Sequence, residues 1–252
     1  MHERAAHVRL HSRGTLRILL ASQMTWLIGF WRSSIGAKVT MAVTGLVLFA
    51  FVVAHLLGNL KLLAGPAALN GYAKMLSDLG GLLWAARGAL LAVFVLHVAT
   101  GLRLARMNRA ARPVGYSKDA TIQATFASRS MVFSGLTVLV FVVYHLLHFT
   151  FGVTNPDHFA KKAAGADGHD VHSMVAASFR VPAIALAYVV FQVVLWLHLR
   201  HGVQSMAQTL GINHSRYTPW VESLAFVLAT LIAGGNVVLA LSVMTGLVEV
   251  AS

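Results

Sequence analysis

The sequence predicts an all-α integral membrane protein with five transmembrane helices, and three observations carry that expectation. The 252-residue chain is 57% hydrophobic and 11% charged, with a mean hydropathy of +0.71. A soluble domain carries roughly twice that charge fraction. Five apolar runs reach the about 20 residues that a helix needs to cross a bilayer. Glycine, proline, asparagine and aspartate gather in the connectors "LLAGPAALNGYAKMLSDLGG", "NRAARPVGYSKDA", "TNPDHFAKKAAGADGHD" and "GINHSRYTP", which are therefore the expected turns. The chain reads as one membrane domain, with an N-terminal segment over 1–35 and a five-helix domain over 36–252.

At the N-terminus, "HERAAHVRLHSRGTLR" followed by "ILLASQMTWLIGFW" has the basic-then-apolar order of a signal peptide. The "FWRSSIGAK" that follows is bulky and basic rather than a small-residue cleavage site, so the segment is expected to stay attached. Its apolar part, 18–31, is short for a span. It is expected to lie in the interface with Trp26 and Trp31 at headgroup level.

The spans are expected near 38–60, 82–106, 128–152, 180–207 and 220–247. With five spans, the N-terminus, the 106–128 loop and the 207–220 loop share one side. That side holds 14 of the 20 lysines and arginines. The positive-inside rule puts the N-terminus in the cytoplasm and the C-terminus outside. The excess of 20 Lys+Arg over 8 Asp+Glu is read as this topology signal rather than as nucleic-acid binding, because the charges lie between the apolar runs. The absence of cysteine excludes disulfides, thiolate metal sites and the C-x-x-C-H attachment of c-type haem.

The first span contains "TGLVLFAFVVAHLLGNL" (44–60) and the third "SGLTVLVFVVYHLLHFT" (134–150). Gly, Leu, Phe, Val, Val, His, Leu and Leu coincide in register. "LHVATGLRLA" (96–105) and "LHLRHGVQSM" (197–206) of the second and fourth spans share L-H-x-x-x-G. Spans 1–2 thus read as a duplicate of spans 3–4, both copies pointing the same way, so equivalent residues share a depth. His55 and His145 fall in the outer half of the membrane, and His97 and His198 in the inner half.

A histidine inside a membrane is costly unless its nitrogens are satisfied, either by a neighbouring helix or by a function. Four, on four helices and at two matched depths, are poorly explained as isolated helix contacts. Two imidazoles facing across a bundle suit six-coordinate haem iron, whereas zinc or copper would usually want more ligands at one depth. Gly101 and Gly202, one turn after His97 and His198, offer room for a flat ring. Gly45 and Gly135, ten residues before His55 and His145, fall at the depth of the other pair, where a second ring could press. Small-residue helix packing explains these glycines equally well.

At these residues the chain resembles the single-chain, dihaem cytochrome b membrane anchor, of the b558 type, of succinate dehydrogenase and quinol:fumarate reductase. The pieces that carry the resemblance are "RSSIGAKVTMAVTG", "HLLGNL", "LHVATGLRL", "YHLLHFTFG" and "HLRHGVQSMAQTLG", and it runs from about Arg32 to the fifth span. It implies four haem-iron ligands and two b haems, with His55 and His145 holding the outer haem and His97 and His198 the inner. It implies a flavoprotein subunit with FAD, an iron–sulfur subunit with its clusters, membrane lipid around the anchor, and quinone (menaquinone or ubiquinone) as substrate. The chain itself would carry quinone chemistry, not succinate oxidation. The membrane implied is the bacterial cytoplasmic (inner) membrane.

Around these ligands, Arg87 and His148 are candidates for the edge or propionates of the outer haem, though Arg87 equally suits snorkelling to the surface. Arg103, Arg200 and His201 are the corresponding candidates for the inner haem. Trp31, Arg32, Ser34 and Lys38 are quinone candidates. The same residues also suit helix capping by Ser34 and headgroup contact by Arg32. Some relatives carry a glutamate, linked to proton movement, two residues before the fourth ligand. This chain has Trp196 there, which favours electroneutral quinone reduction. The fifth span has no histidine and reads as packing. Two other readings stay open: the cytochrome b anchor of a formate dehydrogenase or hydrogenase, and a haem-free, His-lined transporter.

Overall fold

The computed structural model describes residues 29–111, 126–164 and 170–248, and among these it is helical with no strand. The apolar N-terminal stretch expected in the interface lies outside the described residues up to position 28, as do the basic residues before it. So does 112–125 of the second connector.

A short helical turn precedes a break at Ser33, after which α1 runs Ser34–Asn59. The break is built from one side chain and one glycine. Ser33 Oγ accepts from the Gly36 amide at 2.9 Å and donates to the Phe30 carbonyl at 2.6 Å. A Cβ on Gly36 would collide with that carbonyl. The cap is therefore Ser33, not Ser34, whose side chain stays exposed.

A 3-10 turn (Leu60–Ala64) leads through Gly65, at φ 94°, to Pro66 and the amphipathic helix α2 (Pro66–Asp78). Proline at the first turn of a helix loses no hydrogen bond, because the first amides have no partner inside the helix. Then follow α3 (Gly81–Ala110), a single turn (Phe126–Arg129) and α4 (Met131–Phe149). Two short helices come next, α5 (Pro156–Ala164) and α6 (Val171–Phe179). The chain ends with α7 (Pro182–Thr209) and α8 (Thr218–Met244).

With the 3-10 turn extending α1, the five helices α1, α3, α4, α7 and α8 are long and apolar enough to cross a membrane, with mean hydropathies of 1.9 to 2.3. Even α4, at 19 residues, reaches about 28 Å. These are the five runs expected from the sequence, and the chain is a multi-pass membrane protein by length and composition.

The closest packing is between α7 and α8. α1 lies against α3 and α7, α4 lies against α7, and α3 touches α4 only lightly. The helices α1, α3, α4 and α7 thus close a ring, with α8 behind α7. Gly235 of α8 admits Leu56 of α1, whose Cδ2 is 3.0 Å from where a Cβ would stand. The end where α1 begins is called the near end below, and the opposite one the far end.

The buried core sits at the far end, where Leu56, Leu62, Leu69, Phe179, Tyr188 and Val243 pack under α2 and α6. Asn70 ties those two helices together. It donates to Asp170 Oδ1 and accepts from the His172 amide, each at 2.9 Å, while Asp170 caps α6 through the Ser173 amide at 3.0 Å. In contrast, the buried residue of α3 is Thr100 alone. Protein atoms fill the far end, and the ring's middle is bordered instead by histidines.

Candidate functional site

Four imidazoles meet in two pairs across the ring. His55 of α1 faces His145 of α4 with ring centroids 5.8 Å apart and planes at 88°. His97 of α3 faces His198 of α7 at 6.5 Å and 72°. The pairs join the helices that the depth count joins. A metal bound at about 2 Å to one nitrogen of each of two opposed imidazoles holds their ring centres about 6 Å apart, a spacing both pairs meet. Buried His145 Nδ1 has no hydrogen-bond partner. The residues present therefore fit a six-coordinate haem iron at each pair.

Like contacts surround like members. Phe51 lies against His55 at 5.4 Å and Phe141 against His145 at 5.9 Å, each four residues before its histidine. Thr44 Oγ1 lies 3.0 Å from His97 Nδ1, and Ser134 Oγ lies 3.4 Å from His198 Nδ1. The next residue is glycine in both cases. A Cβ at Gly45 or Gly135 would stand 3.4 Å from Cε1 of His97 or His198. An imidazole thus lies at contact distance from each of these glycines. Gly101 has Met41 beside it, and the space beside Gly202 is open. Thr44 and Ser134 escaped the sequence reading, although each opens its quoted segment in register ahead of the glycine.

His148 has other work. It is 1% exposed, with Nδ1 2.9 Å from the Tyr188 hydroxyl and Nε2 3.1 Å from Ser178 Oγ. Ser178 donates to the Met174 carbonyl at 2.9 Å and meets His158 Nδ1 at 3.4 Å. Both His148 nitrogens are engaged by protein, so a ligand edge would have to displace one of these partners. Nothing in the sequence pattern pointed to Tyr188 or Ser178, because their helices reach His148 only through the fold.

Arg87 is exposed and stacks over Trp84 at 5.0 Å. His201 lies one turn beyond His198 toward the near end, with Nδ1 buried and unpartnered. Arg103 donates to the backbone carbonyls of Trp31 and Arg32, both at 2.6 Å. The side chains of Trp31, Arg32, Ser34 and Lys38 are exposed around that clamp. Arg200 stacks on Trp196 and Phe226, at 5.4 and 5.6 Å, on the α8 side of α7. Trp196 donates to Thr230 Oγ1 at 2.9 Å, so position 196 faces α8.

At the far end, burial pushes the His172 imidazole below its ordinary pKa, against a smaller upward pull from Asp170. Burial raises the Asp170 carboxyl, but hydrogen bonds from Ser173 and Asn70, with His172 nearby, outweigh it and hold the group below the usual carboxylate range.

No family model, no curated protein and no solved structure matches the chain. The two facing imidazole pairs, with the motifs that carry the resemblance, therefore bear the functional assignment.

Proposed function

We propose that this chain is the membrane anchor and electron-transfer subunit of a succinate:quinone oxidoreductase, built from a duplicated two-helix unit and carrying two bis-histidine b haems. The observation that carries this reading is the pair of facing imidazoles at each of two levels, 5.8 and 6.5 Å between centroids. The duplication is supported by the matched Thr44–His97 and Ser134–His198 contacts and by the matched phenylalanines beside the far-end pair. Electrons enter from an iron–sulfur subunit, which receives them from a flavoprotein subunit, and leave on membrane quinone. The near end is the cytoplasmic side of a bacterial inner membrane, with the positive excess in the sequence as support.

Haem b, when bound, supplies one-electron transfer. The chain's own residues do the rest. His55 and His145 would hold one iron, and His97 and His198 the other. Phe51 and Phe141 pack against the far-end imidazoles. The Arg103 clamp fixes the backbone at Trp31 and Arg32, which presents Ser34 and Lys38 at the near end, where quinone would meet its hydrogen-bond donors. Trp196 faces α8, and among the described residues the carboxylates Asp78, Asp157, Asp170 and Glu222 lie at helix ends or in connectors. Quinone reduction here is electroneutral.

A dithionite-minus-oxidised spectrum of the purified complex tests the reading. A b-type α band is expected, with His55→Ala and His97→Ala each losing one haem and keeping the other at least in part. Flavoprotein and iron–sulfur subunits should co-purify. A colourless protein would favour the transporter, and co-purification of a molybdenum or nickel–iron subunit would favour a formate dehydrogenase or hydrogenase anchor.

A further inference from the structure

The near-end imidazoles differ from the far-end pair in one respect that the haem reading does not require. Each is met by a hydroxyl from the preceding span of its own pair of helices. Thr44 reaches His97 from α1, and Ser134 reaches His198 from α4. Both hydroxyls are buried, at 5% and 1% exposure, so water does not compete for them. Each has already spent its single proton. Thr44 Oγ1 donates to the Thr40 carbonyl at 2.7 Å, and Ser134 Oγ donates to the Met131 carbonyl at 3.1 Å. A hydroxyl has one donor and two acceptor lone pairs. With each hydroxyl proton on its helix carbonyl, the imidazole meets an acceptor, an arrangement that favours the proton on Nδ1 and leaves Nε2 bare.

The glycine after each hydroxyl completes the cradle. With Cε1 3.4 Å from the position of a Cβ, each ring lies at contact distance against the helix backbone. One residue fixes the proton and the next leaves room for the ring. The far-end pair lacks this device at least at His145, whose buried Nδ1 has no partner.

We propose that Thr44 and Ser134 are positioning residues for a metal at the near-end pair. They lock His97 and His198 in the tautomer that offers Nε2, and they raise the basicity of both ligands. This rests on the haem reading above. A ligating histidine whose other N–H is bonded is oriented and made a stronger donor. A stronger donor favours the ferric state, so the hydroxyls lower the potential of the near-end haem. The bond at 3.0 Å should matter more than the one at 3.4 Å.

The test is a redox titration of the intact complex, read at the haem α band, for wild type, Thr44→Val, Ser134→Ala and Thr44→Ser. Valine keeps the shape of threonine and removes the acceptor. The expected result is an upward shift of one of the two titrating components in Thr44→Val, a smaller shift of the same component in Ser134→Ala, and a return toward wild type in Thr44→Ser. Selective loss of one haem in Thr44→Val, restored in Thr44→Ser, supports the same role. Unchanged potentials, equal shifts of both haems, or failure of Thr44→Ser to restore would overturn it. If the wild-type complex holds no haem, the functional reading falls, and nitrogen NMR of His97 in the purified chain decides the tautomer alone. Protonation at Nδ1 in wild type that is lost in Thr44→Val supports the cradle, and the same tautomer in both overturns it.

Discussion

At the far end of α4, two imidazoles three residues apart meet opposite surroundings. His145 has a bare, buried Nδ1 and an imidazole opposite, while His148 has a hydroxyl on each nitrogen. Sequence register separates them, because His145 aligns with His55 and His148 aligns with Gly58. It does not say what His148 does, because Ser178 and Tyr188 come from α6 and α7, which no local pattern links to α4. At the Gly58 position Tyr72 of α2 fills the space instead, its Cε1 2.6 Å from where a Cβ would be. The far ends of α1 and α4 are thus closed by different polar rings. His148→Leu should lower stability by about 1–3 kcal/mol, because it strands the buried Tyr188 hydroxyl. His148→Leu combined with Tyr188→Phe should cost less than the sum of the two. Thermal unfolding of the complex followed by absorbance checks both, and the haem content of His148→Leu should equal that of wild type. Loss of a haem in that variant would return His148 to the ligand edge.

Two elements depend on contacts that only the fold supplies. The near-end break at Ser33 is held by Arg103, whose planar fork reaches two carbonyls at once. Lysine cannot make that bidentate contact. Arg103→Lys should therefore loosen the segment around Trp31 and Arg32. Faster proteolysis there is expected, together with a higher KM for quinone if Ser34 and Lys38 meet it. An unchanged cleavage rate would show that the turn holds without the clamp. The sequence offered Ser34 as the cap, but which serine caps depended on the path of the preceding turn.

At the opposite end, the α2–α6 cover should weaken in acid. His172 is held neutral by burial, so the unfolded chain takes up its proton first. The resulting stability is complete above about pH 6.5 and is lost as pH falls toward the lowered folded value. Asp170 adds a second loss at lower pH, because its folded pKa also lies below the ordinary one. Protection factors of the α6 amides, which correct for the slower intrinsic exchange in acid, should fall as pH drops below about 6.5. His172→Phe should flatten that slope, and a slope that survives the substitution would assign it to another group.

Across the whole molecule, the five spans were legible because apolar length is a property of the chain alone. The pairing of histidines was legible because the likeness of 44–60 to 134–150, and of 96–105 to 197–206, converts sequence register into depth. The short helices α5 and α6, and the way α2 and α6 bury the far end, were not legible, since their polar connectors resemble ordinary turns until Asn70 and Asp170 meet. The ring they cover is unevenly filled. α7 and α8 pack along much of their length, whereas α3 buries Thr100 alone and barely touches α4. Helices in lipid associate by close packing rather than by a hydrophobic drive. α3 packs on α1 but leaves its side toward α4 sparsely covered, which is where a filler would sit. If that filler is haem, the separation of α3 from α4 should be fixed when haem is bound and variable when it is not. The chain has no native cysteine, so spin labels can be introduced without removing any. Labels at Ala92→Cys and Val140→Cys, both on exposed faces of α3 and α4, should give a narrow distance distribution in the haem-loaded complex. The distribution should broaden in protein made under haem limitation or carrying His55→Ala and His97→Ala together. A control pair at Val193→Cys and Leu231→Cys, on the well-packed α7 and α8, should keep its width in both states. Equal widths for the α3–α4 pair with and without haem would mean that protein contacts alone hold the ring, and the sparse packing of α3 would then owe nothing to a cofactor.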